Sequence, residues 1–190
     1  GTAVIAFGAI RRYMKFGESS FRLATNPGLV GGEVSGLSGS VVLNLDDTDE
    51  DLTVSSSGSF TFSETVDTGT DYNVTVKTNP NGYSCAVSNN TGTATTNVSN
   101  ITVTCSVLSY ALGGSISGLT GTVRLRNYIN LKTVNISSNG SWQFVDEVNY
   151  GEDYDLRVLL QPDGQTCTLT NDLGTLTGAV SNVNITCVTD

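Results

Sequence analysis

With no histidine among its 190 residues, this chain has chiefly the chemistry of its 18 carboxylates and 4 cysteines to offer. Without imidazole the Ser-His-Asp and Cys-His constellations are absent, as are most general acid-base designs at neutral pH. The densest acidic run is Asp46, Asp47, Asp49, Glu50 and Asp51, a set of hard oxygen donors of the kind that holds Ca²⁺. Two looser groups have the composition of paired glycosidase carboxylates: Glu64 and Asp67 with Asp71, and Asp146 and Glu147 with Glu152, Asp153 and Asp155. Their sparse surroundings read more simply as charges on strand ends and turns, which discourage edge pairing and keep a protein soluble. The cysteines lack Cys-x-x-Cys spacing and have no histidine to complete a zinc site. No catalytic residue, cofactor or metal is therefore expected, and the chain does not read as an enzyme.

The elements that carry these residues are legible because the sequence repeats. Shifted by 82 positions it aligns with itself without a gap. Gly31-Gly32-Glu33-Val34-Ser35-Gly36-Leu37 returns as Gly113-Gly114-Ser115-Ile116-Ser117-Gly118-Leu119, and the run SSSGSFTF at 55–62 returns as SSNGSWQF at 137–144. Tyr72 matches Tyr154, Pro80 matches Pro162, and Cys85 and Cys105 match Cys167 and Cys187. Inside each repeat the apolar residues alternate, as they do in half-buried strands. Val41, Leu43 and Leu45, Phe60 and Phe62, and Tyr72, Val74 and Val76 form the inward set of the first repeat. Val123 and Leu125, Trp142 and Phe144, and Tyr154, Leu156 and Val158 do so in the second, with Arg124 and Arg126 on the outward phase. Ser57-Gly58 and Asn139-Gly140 supply tight turns between such runs. The acidic run aligns with Tyr128–Thr133, which holds no acid, so it is no property of the module and reads as a solvated loop rather than a Ca²⁺ site.

The expected fold is all-β: two tandem seven-stranded immunoglobulin-like β-sandwiches preceded by an N-terminal arm. The arm spans 1–30, the first repeat 31–106, a linker 107–112 and the second repeat 113–190. The GG-x-[VI]-SGL signature, the SFTF and SWQF strands, the Y-x-V-x-V run and the paired cysteines resemble Ig-like repeats found in tandem in secreted and surface proteins of proteobacteria. They also resemble the transthyretin-like (CnaB-like) modules of Gram-positive pilins and adhesins. The resemblance covers 31–106 and 113–188 and implies a mechanical or adhesive module, while fold alone does not establish function. Gram-positive pilin modules often carry a Lys-Asn isopeptide bond. Lys77 lies in a strand, but its counterpart is Leu159, so that cross-link is not expected.

All four cysteines fall on the inward phase, and a repeated unit should carry its own staple. The expected bonds are Cys85–Cys105 and Cys167–Cys187, each closing a loop of about 20 residues and contributing about 3 kcal/mol. They require an oxidising compartment, so the chain is expected outside the cell or at its surface. Beginning at Gly1 without Met, it reads as already processed. Asn73, Asn89, Asn97, Asn100, Asn135, Asn139 and Asn184 head glycosylation sequons, a weak signal in a chain so rich in Asn, Ser and Thr. Trp142, aligned with Phe60, reads as core.

The formal net charge is −9, which disfavours nucleic acid as a partner. The arm runs the other way: Arg11, Arg12, Lys15 and Arg22 against Glu18 leave residues 1–30 at about +3 and the remainder at about −12. Its apolar stretch 3–10 is too short to span a membrane. An uncovered apolar strand invites pairing with other chains. Insertion into a neighbouring copy would bury Val4, Ile5, Phe7 and Ile10, contributing roughly 6 to 10 kcal/mol before ordering costs. Arg11, Arg12, Tyr13 and Phe16 would complete the assembly element. Such donor-strand contacts are head-to-tail and propagate into a fibre. The chain is therefore expected to be a subunit of an extracellular filament whose partners are copies of itself. The alternative is an adhesin or carbohydrate-binding module that takes a surface glycan on Tyr128, Tyr150 or Tyr83, or a virion decoration protein.

Overall fold

The computed structural model describes residues 27–190, together with the backbone of two strands nearer the N-terminus. These two, β1 (Thr2–Phe7) and β2 (Ile10–Lys15), pair antiparallel from Thr2 opposite Lys15 to Phe7 opposite Ile10 and form a two-stranded sheet. The apolar stretch 3–10 is thus not one continuous strand, since the chain reverses between Phe7 and Ile10. Phe16 lies outside the described residues. The chain divides into two compact units, Gly1–Ser106 and Val107–Asp190.

In the first unit eight strands follow: β3 (Gly28–Ser35), β4 (Val41–Leu45), β5 (Glu50–Val54), β6 (Gly58–Val66), β7 (Asp71–Thr78), β8 (Tyr83–Ser88), β9 (Thr91–Thr93) and β10 (Val98–Val107). They form two four-stranded sheets, β6-β3-β10-β8 and β5-β4-β7-β9. The core between them holds Val30, Leu43, Leu45, Phe62, Val74 and Ile101, all but removed from water. Each such side chain contributes about 1.5 to 3 kcal/mol by leaving water. Phe60 meets Phe62 edge to face, with ring centroids 6.0 Å apart. Most neighbours run antiparallel, but the first and last strands, β3 and β10, run parallel.

The second unit repeats this plan. Its strands are β11 (Ser109–Tyr110), β12 (Leu112–Ser117), β13 (Val123–Asn127), β14 (Thr133–Ile136), β15 (Gly140–Gln143), β16 (Val148–Asn149), β17 (Asp153–Leu160), β18 (Gln165–Thr170), β19 (Leu173–Thr175) and β20 (Val180–Thr189). The sheets are β15-β12-β20-β18 and β14-β13-β17-β19, and the short pair β11-β16 continues the β12–β15 pair, as the longer β3 and β6 do across a register shift between Leu29 and Gly31 in the first unit. Trp142 is in the core, as its alignment with Phe60 implied, and its ring lies 6.0 Å from that of Phe144.

Each sandwich therefore has eight principal strands rather than about seven. The added one is the three-residue edge strand, β9 or β19, too short to show a period. The boundaries also differ from those expected. Val30 and Leu112, separated by the repeat offset, are both fully buried, so the first strand of each unit begins upstream of its Gly-Gly pair. Residues 107–112 are mostly strand rather than a free linker.

The Gly-Gly pair marks where the first strand is squeezed between two neighbours. A Cβ on Gly114 would stand 1.7 Å from the Val183 carbonyl oxygen, and one on Gly113 2.2 Å from that of Trp142. Gly32 and Gly31 are hemmed in the same way by Ile101 and Phe60. The register of both parallel pairs shifts at this point, a bulge that only glycine tolerates at such a close backbone approach.

Candidate assembly surfaces

Both disulfides form, Cys85–Cys105 and Cys167–Cys187. Each joins neighbouring strands of one sheet, and Cys167 sits directly opposite Cys187 in the β18–β20 ladder. The 20-residue excursion they close includes β9 or β19, which crosses to the other sheet and pairs with β7 or β17. The covalent bond thus fixes the segment that ties the two sheets together. Among the described residues no cysteine is free, and no three metal-type ligands converge.

The acidic run forms the β4–β5 hairpin, and most of its carboxylates are already engaged. Asn73 Nδ2 donates to Asp46 Oδ2 at 2.7 Å and Asn44 Nδ2 to Asp51 Oδ1 at 2.8 Å, while Lys77 pairs with Asp51. Glu50 reaches across to β6, where its carboxylate accepts the Ser63 hydroxyl at 2.7 Å and the Ser63 and Glu64 amides at 2.9 and 2.8 Å. Partial burial pushes the Glu50 pKa up, but the amides and hydroxyl outweigh it and the net displacement is downward. Asp51 is lowered by the hydrogen bond from Lys77 and then by that from Asn44. Asp155 is lowered by Arg157. All three displacements run opposite to what a general acid needs.

Beside this hairpin an open cleft of about 580 Å³ is lined by Asp46, Asp47, Asp71, Tyr72, Asn73 and the β9 strand, with no Lys or Arg among its lining residues. At the positions of Asp46, Asp47 and Thr91 the second unit carries Tyr128, Ile129 and Leu173. Where the first unit has Val42, Asn44 and Thr75, the second has Arg124, Arg126 and Arg157. At these positions the same face of the same sheet is acidic and concave in the first unit and carries apolar side chains and arginines in the second, where Asp153 and Asp155 stand at the places of Asp71 and Asn73.

The Tyr128 face is built by β13 and β17. Arg126 pairs in register with Arg157, and both guanidinium carbons lie over the Tyr128 ring, 5.3 and 5.0 Å from its centroid. Arg157 is neutralised by Asp155 at 2.6 Å, whereas among the described residues Arg126 makes no ion pair and its buried Nε has no hydrogen-bond acceptor. Two like charges directly opposite each other on a sheet are normally unfavourable. Here the ring faces offset part of the repulsion. The turn holding Tyr128 is organised by Asn127, 1% exposed, whose Oδ1 accepts the Ile129 and Asp155 amides at 3.1 and 3.2 Å. The equivalent position in the first unit is Leu45, and this buried Leu-to-Asn exchange is the site residue that the alternating pattern did not single out.

All nine exposed large hydrophobics among the described residues lie in the second unit, Ile129 at 56%, Leu131 at 58% and Leu173 at 68% among them. Of the three tyrosines expected as contacts, Tyr128 is exposed, while Tyr83 and Tyr150 are half-buried. One of the sequon asparagines is otherwise engaged: Asn139 Nδ2 donates to the Leu119 carbonyl at 3.0 Å while its Oδ1 accepts the Leu119 amide at 2.8 Å. In the arm, Val4, Ile5, Phe7, Ile10, Arg11, Arg12 and Tyr13 are placed on the two hairpin strands by the backbone.

Fold and cystines define a tandem, disulfide-braced Ig-like β-sandwich protein. No protein-family model matches the chain, and neither does any curated protein. Among solved structures it is similar to the Bacillus anthracis TIE protein, with a TM-score of 0.59 and 14% identity over 94% of this chain. The chain spans 38% of the length of that structure, and the likeness is one of fold. Weaker similarities reach a streptococcal ancillary pilin (TM-score 0.35, 13% identity, 95% of this chain and 72% of that one) and the major pilin T-13 of Streptococcus pyogenes (0.33, 12%, 88% and 98%).

Proposed function

We propose that the chain is a structural subunit of an extracellular bacterial filament, akin to the proteobacterial surface repeats its motifs resemble, that polymerises non-covalently through its N-terminal arm. The observation that carries this reading is the arm's backbone, a two-stranded sheet separate from both sheets of the first sandwich. An isolated hairpin is marginal in water and offers two strand edges. Pairing with a neighbouring copy supplies the third strand it needs, so the donor element is a hairpin rather than a single inserted strand. Two disulfide-braced sandwiches behind it suit an oxidising exterior.

Negative-stain electron microscopy of the intact chain beside one lacking residues 1–23, at equal concentration, tests the reading. Filaments from the intact chain alone are the expected result. Dispersed particles from both would sink it. The exposure of Tyr128 favours one second reading, an adhesin that takes a surface glycan, which requires a stable monomer and saturable binding lost on Tyr128→Ala.

A further inference from the structure

We infer that the Arg126–Tyr128–Arg157 face of the second unit docks into the Asp46–Asp47–Asp71 cleft in the first unit of another copy of the same chain. The inference rests on the filament reading and assigns it a second contact, separate from the arm.

Three observations support it. The cleft is acidic, with Asp46, Asp47 and Asp71 in its wall and no Lys or Arg among its lining residues. The facing surface carries Arg124, Arg126 and Arg157 on its outward phase, and among the described residues Arg157 is paired with Asp155 while Arg124 and Arg126 are in no ion pair. Apolar side chains exposed around these arginines, Ile129 and Leu173 at positions where the first unit has Asp47 and Thr91, supply area that only a partner would cover. Charge complementarity of this kind sets register and partner more than it sets raw affinity.

A second copy is the occupant because both halves of the contact exist on one chain. The repeat preserves the frame, and the cleft differs from its counterpart at a few outward positions, Asp46 against Tyr128 and Asp47 against Ile129 among them. The contact joins unlike surfaces, and such a heterologous contact does not close on itself unless the rotation forms a ring. Where no ring forms it propagates, as the arm contact does.

The test uses the full chain in sedimentation velocity over a concentration series, with D46R/D47R and R124E/R126E variants. Each variant alone is expected to weaken self-association by about tenfold or more. An equimolar mixture of the two should restore it, because each then presents charge complementary to the other. Wild-type association should also weaken between about 50 mM and about 500 mM NaCl, a measurement that does not depend on either variant folding. Association indifferent to salt and to both variants, yet lost on removal of residues 1–23, would overturn the docking while leaving the arm-mediated filament in place. A wild type that stays monomeric throughout, or binds a glycan at Tyr128 instead, would overturn both.

Discussion

Glu50 shows how one carboxylate braces a hairpin to its neighbour. It accepts three hydrogen bonds from Ser63 and Glu64 on β6, and its pKa is displaced downward from its ordinary 4.5. A group whose folded pKa is depressed contributes stability above its unfolded pKa and loses it as pH falls through the folded value. Glu50→Gln is therefore expected to cost about 1 kcal/mol at pH 7, a gap that closes well below pH 4.5; chemical denaturation at both pH values measures it. At Gly114 the constraint is steric. With a Cβ 1.7 Å from the Val183 carbonyl oxygen, Gly114→Ala forces the β12–β20 pair apart and should cost more than about 4 kcal/mol. Gly178, whose Cβ would meet nothing within 4 Å, is the control: Gly178→Ala should leave the melting temperature nearly unchanged.

At the scale of elements, the strands with side chains on both phases were legible from the sequence, and those without were not. β4 and β13 alternate buried with half-buried or exposed residues throughout, and β7 and β17 do so over their first halves. Two glycines interrupt the period of the first strand, so its start upstream of them leaves no mark in the pattern, and β9 and β19 are three residues long. Parallel pairing of the first and last strands is a long-range property that no local pattern carries. The Tyr128 face was half legible: Arg124, Arg126 and Tyr128 stood out as outward, but the approach of Arg157 depends on a register that shifts at a bulge in the β13–β17 pair. The hairpin brace also changes chemistry between repeats, since Glu50 on the β6 backbone gives way to Lys132 paired with Asp146 at 2.8 Å. The disulfides act at this scale too. Replacing Cys85 and Cys105 together by Ala frees the excursion through β9 and should lower the stability of the first sandwich by about 3 kcal/mol, read from the shift in its denaturation midpoint relative to the intact chain.

For the molecule as a whole, the parallel first and last strands decide how each sandwich responds to force. Tension along the chain enters at the start of β3 and leaves at the end of β10, which are opposite ends of a side-by-side pair. Pulling slides one strand along the other and loads all the ladder bonds at once instead of unzipping them singly. The cystine on β10 then takes the load across to β8, so the 20 residues it spans stay slack even after a sandwich has opened. Stretching single molecules should give unfolding steps that lengthen by about 70 Å per sandwich once the disulfides are reduced, the length of chain that each bond withholds from extension.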